Sequence, residues 1–512
     1  MSSSSIHSTS GTIASAYKKI AQNGRPDMDI VLDNHHDRKV YTTFDALSGK
    51  VNITAPHEAR FDEIQITFEG TVRTAIENLS PHTTKSRTTA RHNFLKLVMP
   101  IKESDYPQPR IAEAGRTYTF PFNFVVPDQL LPRACSHSVV GDHVQHAHMQ
   151  LPPSMGDRTL SIKDDLAPDM AIVDYGVRVK VIRSRDRDGK NMVLTEGMKK
   201  LHIIPAVAEA PPMNIRDADK DYALSKTKSL KKGMFSGKLG KITVSTEQPG
   251  ALVIPSPTAT TTTQPTTMAT VNLRFDPHDV SSQPPRLGGL TTKIKATTFF
   301  STRPAVDFPA HFSQQVHFET TRGIYDTSVS INSRCVESVA WTQQCSSPAY
   351  SRRGSSTSTS SSDDCSSDNA QTPPQKENNT YYTASILVPI TLPASKHWIP
   401  SFHSCISSRA YCIALSLTIH TPGTGVPAST VNLYVPVQIA ADGNNGRRAS
   451  ITAEEAAIEL AAQEAEEYLR PRVLEVPREE LIGRSVLGSL DLELPPSYED
   501  FVPRRVVDPG RG

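Results

Sequence analysis

Asp174-Tyr-Gly-Val-Arg-Val-Lys-Val-Ile182 alternates with a period of two: Tyr175, Val177, Val179 and Val181 fall on one side of an extended chain, Arg178 and Lys180 on the other. A helix would scatter those four apolar side chains around its circumference, so the segment is read as a half-buried β-strand. Its neighbours carry the same signature. Arg116-Thr-Tyr-Thr-Phe-Pro-Phe-Asn-Phe124, Arg91–Val98, Ile64–Phe68, Thr71–Thr74, Val51–Thr54, Val40–Phe44 and Met28–Leu32 are short, rich in β-branched and aromatic residues, and separated by turn formers. No helical period appears in this stretch. Short strands spaced by turns predict an antiparallel sandwich over residues 27–210.

Beyond Pro211 the alternation stops, and Lys226, Lys228, Lys231, Lys232, Lys238 and Lys241 crowd together. Residues 211–239 are read as a basic hinge. A second series of strands follows over 240–440: Gly240–Ser245, Met268–Phe275, Leu290–Phe300, Thr327–Asn332, Ser385–Pro389, Tyr411–Ile419 and Val431–Ile439. A Ser-rich insertion at 346–380 has too few apolar residues to offset its ordering entropy and is expected to be disordered. The Ser-rich segment 1–26 is read the same way. After Asp442 the composition turns to helix formers. Thr452 and Glu455 are spaced as a capping box, predicting a helix over 452–470 that Pro471 ends, within an acidic tail spanning 441–512.

Composition bounds the function. In 512 residues, 55 Lys and Arg oppose 53 Asp and Glu, for a net charge of +2. A chain so balanced carries no field suited to a nucleic-acid binder. No run of apolar residues approaches a membrane span, and the start lacks a signal-peptide pattern. Cys135, Cys335, Cys345, Cys365, Cys405 and Cys412 form no CxxC pair and fit reduced thiols in a cytosolic protein. Nucleotide loop, nucleophile elbow and acid pair are all missing, so an enzymatic reading has no residues behind it and no cofactor is expected.

Several motifs, taken in order, resemble arrestins. Val40-Tyr-Thr-Thr-Phe-Asp-Ala-Leu-Ser-Gly-Lys-Val51 is similar to the family's early strand-turn-strand. Tyr118-Thr-Phe-Pro-Phe-Asn-Phe-Val-Val-Pro127 with Leu131-Pro132 resembles its Phe-x-Phe stretch, and Ile172–Val179 its Ile-x-Tyr-x-Val-x-Val strand. Pro400-Ser-Phe402, Tyr411 and Val435-Pro-Val437 resemble the close of the second arrestin domain. The resemblance implies an all-β chain: two tandem arrestin-type antiparallel β-sandwiches, then a C-terminal helix and a disordered tail.

The tail carries Leu494-Pro-Pro-Ser-Tyr498. Pro495 and Pro496 pre-set a polyproline II backbone, Leu494 flanks it, and Tyr498 is an aromatic anchor of the kind WW domains bind in their grooves. Beside an arrestin-like body, this motif makes the chain similar to fungal-type α-arrestins, the arrestin-related trafficking adaptors. That resemblance implies a non-catalytic cytoplasmic adaptor, recruited peripherally to plasma membrane or endosomes. It would link a WW-domain HECT-type ubiquitin ligase to the cytoplasmic tails of transporters or receptors and promote their endocytosis. An arrestin-fold sorting-coat subunit of retromer-like type, or a scaffold for pH or nutrient signalling, would share the body.

Three other constellations are ambiguous. Lys226, Lys228, Lys231 and Lys232 suit anionic lipids, an acceptor role for ubiquitin, or plain solvation. Ser355 and Ser450, each two residues after an Arg pair, and Ser347 before a proline, suit kinases. His143, His146 and His148, with Cys135, His137 and Asp142, superficially resemble metal ligands. Lacking a helical signal and the acid of a His-Glu-x-x-His site, the segment is read as a polar loop that holds no metal.

Overall fold

The computed structural model describes residues 27–444, apart from 79–85, 161–162, 186–188, 217–218, 220, 234–236, 260–262, 311–320, 346–379 and 422–425. The deciding stretch forms the strand Ala171–Ser184 at the centre of a five-stranded sheet. Glu63–Asn78 and Asn191–Ile203 flank it in antiparallel register, Ser86–Met99 extends one side and Val40–Tyr41 pairs parallel on the other. Tyr175, Val177 and Val179 are fully buried, while Arg178, on the opposite face, forms ion pairs with Glu69 and Glu196 from the two neighbouring strands.

A three-stranded sheet of Asp27–Leu32, Ala46–Thr54 and Thr117–Val125 closes the first sandwich. Phe120, Phe122 and Phe124 alternate inward from Thr117–Val125 and share one core with Phe68, Tyr175 and Val177. Gly49 marks where two backbones approach. A Cβ there would lie 2.2 Å from the Val31 carbonyl and 2.8 Å from the Phe122 ring, so only glycine fits without displacement.

The second sandwich pairs two further sheets around their own core. One runs Ser225–Lys231, Lys238–Thr246, Thr266–Pro277, Thr380–Thr391, Thr342–Cys345; the other joins Arg322–Cys335, Arg286–Ser301 and Ser407–His420, the last carrying Phe402–His403 and Ser429–Val437. The strands Thr342–Cys345 and Thr380–Thr391 pair with each other, so the Ser-rich insertion joins adjacent antiparallel strands.

Three readings of the sequence are corrected. The hinge is shorter than 211–239, because Ser225–Lys231 is the end strand of a sheet, paired residue by residue with Lys238–Thr246. Its lysines hid the alternation. Lys226 and Lys228 stand opposite Val244 and Ile242, which are buried, so the two lysines share the core-facing side of the strand and emerge at its rim. Charged residues at such positions keep a sheet end from pairing with other chains. The strand Asn191–Ile203, absent from the sequence reading, is a second addition: its first ten residues are exposed or half-buried and show no alternation.

The third correction concerns the supposed polar loop, where Asp142–His148 is an α-helix. Val144 and His148, one turn apart, are its buried face. Seven residues with two inward side chains are too few to produce a helical period in a sequence window. Among the described residues, no helix is long and apolar enough to cross a membrane.

Candidate functional site

The described residues concentrate unusual chemistry along the seam between the two sandwiches. Each core borrows from the other half of the chain. Ile399, Phe402, Cys405 and Ile406 pack into the first core, and Leu166 packs into the second. Leu166 adopts a φ of 62°, a left-handed conformation that costs a non-glycine residue roughly 1–2 kcal/mol. Side-chain bonds hold it there: Leu166 N donates to Asp164 Oδ1 at 2.9 Å and Ala167 N to Asp165 Oδ1 at 3.1 Å. Burial of the leucine side chain offsets the strain.

Polar groups pin the same seam. Lys396 Nζ pairs with Asp164 Oδ2 at 2.9 Å, and His397 N donates to the Asp164 carbonyl. Thr74 Oγ1 donates to the Ser301 carbonyl at 2.6 Å. Arg409 is completely buried; Nη1 donates to the Asp165 carbonyl at 3.1 Å and Nη2 approaches Met155 Sδ at 3.5 Å. His202 of the first sandwich meets His397 of the second, Nε2 to Nε2, at 3.2 Å. Burial pushes the His202 imidazole down to about 4, with His397 adding to the shift and Asp157 opposing it; burial also lowers His397. Both rings are therefore neutral at pH 7. Beside this seam lies a cavity of about 370 Å³ lined by Asp157, Arg158, Lys163, Asp164, Tyr325 and Thr327. Its mixed charge favours no single class of ion.

Farther along the seam, Cys135, His137 and His148 of the first sandwich meet Cys405 of the second. Their side-chain donor atoms all lie within 4.8 Å of one another. The short 3-10 turn Pro132–Ala134 presents Cys135, the C-terminal end of Asp142–His148 presents His148, and a tight turn closed by Ser404 N to the Ser407 carbonyl presents Cys405. Cys135, His148 and Cys405 are buried and His137 half-buried. Burial lowers the His148 imidazole to about 4 and raises the Cys405 thiol.

Of the residues singled out by sequence, His143 instead packs against Phe308 with tilted rings and His146 faces Gln150. Lys228 Nζ donates to the Thr430 carbonyl and Lys232 pairs with Asp279; Lys226 and Lys231 are exposed. Ser347, Ser355, Ser450, the expected helix at 452–470 and Leu494, Pro495, Pro496 and Tyr498 lie outside the described residues. The sequence reading missed Arg409, Cys405 and the His202–His397 pair as a group, since their partners are remote along the chain. Only Pro400-Ser-Phe402 pointed toward that turn.

Residues 28–191 match the family described as Arrestin (or S-antigen), N-terminal domain. The match begins inside the first strand and ends at the start of Asn191–Ile203, so it covers most of the first sandwich. Among curated proteins, none matches the chain. The architecture and the match agree on an arrestin-type β-sandwich fold.

Proposed function

We propose that this chain is a non-catalytic arrestin-like adaptor that brings a WW-domain HECT-type ubiquitin ligase to the cytoplasmic tails of membrane transporters or receptors, promoting their ubiquitination and endocytosis. The observation that carries the adaptor reading is the arrestin N-terminal match over 28–191, followed by a second sandwich that exchanges core residues with the first. Ligase recruitment rests on Leu494, Pro495, Pro496 and Tyr498. A tail placed within reach of a cargo-bound body raises the local concentration of ligase at cargo lysines without any new contact to the cargo. Such an adaptor acts from the cytoplasm, held peripherally at the plasma membrane or endosomes. Lys226, Lys228, Lys231 and Lys232 are the residues proposed to touch anionic lipid there or to accept ubiquitin, and Ser347, Ser355 and Ser450 the sites where phosphate would regulate docking.

The test is a comparison of cell-surface protein abundance in cells carrying the wild-type chain, a deletion, or Tyr498→Ala. The reading predicts that the same small set of transporters or receptors accumulates at the surface in the deletion and in Tyr498→Ala. Unchanged surface levels in both would refute it, and stable co-purification of fixed stoichiometric subunits would point to a sorting coat instead.

A further inference from the structure

We propose that Cys135, His137, His148 and Cys405 form a structural zinc site that clips the first sandwich to the second. The donor set is two sulfurs and two imidazoles, the combination that selects zinc among common divalent ions and that structural zinc sites close completely. The spacing fits. With zinc bonds of about 2.3 Å to sulfur and about 2.0–2.1 Å to nitrogen, tetrahedral geometry puts a sulfur and a nitrogen about 3.6 Å apart. Cys135 Sγ lies 3.4 Å from His137 Nε2 and 3.7 Å from His148 Nδ1. Cys405 completes the set from the other sandwich, with all four donor atoms inside 4.8 Å.

The ring orientations also suit a ligand role. His137 Nδ1 lies 3.1 Å from the Ser138 carbonyl. A carbonyl can only accept, so that nitrogen carries the proton and Nε2 turns its lone pair toward the cluster. Outer-sphere carbonyl partners fix the tautomer of metal-bound histidines in this way. Charge balances too. Zinc with two thiolates and two neutral imidazoles is electrically neutral, which a site whose two cysteines belong to the buried cluster that also holds Phe402 and Ile406 can keep without an uncompensated charge.

The chemistry of assembly is a ligand exchange. Hydrated zinc releases its water ligands, displaces the thiol protons of Cys135 and Cys405 to solvent and forms two sulfur and two nitrogen bonds, with no change of oxidation state. Because the ligands come from residues 135–148 and from Cys405, zinc closes a long loop and ties the His-rich helix to the Ser404–Ser407 turn. The site is thereby coupled to the seam between sandwiches, whether or not the tail recruits a ligase.

The experiment uses the full-length chain purified under reducing conditions, dialysed, and measured for zinc by elemental mass spectrometry. A cobalt-substituted sample is examined by absorption spectroscopy. The expected result is one zinc per chain, with cobalt showing tetrahedral ligand-field bands and sulfur-to-metal charge transfer. Cys405→Ser is expected to weaken zinc by more than the roughly 10–100-fold that losing an outer-sphere partner costs. His143→Ala and His146→Ala, on the same helix but outside the site, are expected to keep it. The cobalt spectrum of the wild-type chain keeps the question answerable if Cys405→Ser folds poorly. Substoichiometric zinc after reconstitution, an octahedral cobalt spectrum, or loss of zinc in the two histidine controls would overturn the proposal. So would a Cys135–Cys405 disulfide found in place of bound metal.

Discussion

Arg409 is the residue on which the seam turns. A fully buried guanidinium is costly unless its donors are met; Nη1 finds the Asp165 carbonyl, while Nε has no hydrogen-bond partner. Arg409→Ala removes the side chain and opens a cavity, and is expected to lower stability by roughly 2–5 kcal/mol. Arg409→Met fills the volume without a charge to desolvate and is expected to cost clearly less. Denaturant unfolding of the two variants makes the comparison, and equal losses would show that the charge, not the packing, holds the seam. His202 and His397 give a prediction with a sign. An unfolded histidine titrates near 6.5, whereas the folded His202 refuses a proton until about pH 4. Between those values the unfolded chain binds the extra proton, so stability is retained above about pH 6.5 and falls on acidification, by up to about 1.4 kcal/mol per pH unit from His202, with His397 acting in the same direction. Asp157 and Asp165 oppose the shifts and Lys163 reinforces that of His397. His397→Gln is expected to flatten the decline in Tm between pH 7 and pH 5, and an unchanged slope would remove the pair from the account.

Among the elements, the strand Ser225–Lys231 shows how charge placement can mislead a linear reading. Its lysines marked a hinge in the sequence, yet Lys226 and Lys228 sit on the inward side of a sheet's end strand. Lys226→Val with Lys228→Val restores an apolar alternation and removes the protection of that edge. Sedimentation at rising concentration is expected to show self-association in the double variant and a monomer in wild type; no difference would mean the edge is covered by other means. The same elements explain what was legible beforehand. Strands such as Thr117–Val125 declare themselves because three phenylalanines repeat every second residue toward one core. Asn191–Ile203 and the helix Asp142–His148 stay silent, one because its first ten residues are exposed or half-buried without alternation, the other because only Val144 and His148 turn inward.

In the whole molecule, the two sandwiches are joined by exchange: Leu166 enters the second core, and Ile399, Phe402 and Ile406 enter the first. No local pattern carries that information, since Cys135 and Cys405, or His202 and His397, become neighbours only once both sandwiches have formed. The fold was therefore readable from periodicity and motif order, whereas the seam was not. The proposed ligase recruitment rests on the opposite kind of signal, a short tail motif whose chemistry is complete in five residues. Its most direct test is fluorescence anisotropy of labelled WW domains from a HECT-type ligase, titrated with the full-length chain and with Tyr498→Ala. Saturable binding by the wild-type chain that disappears in Tyr498→Ala is the predicted result. Equal binding by both, or binding by neither, would contradict ligase recruitment through Leu494–Tyr498 and leave an arrestin-type body whose role must lie elsewhere.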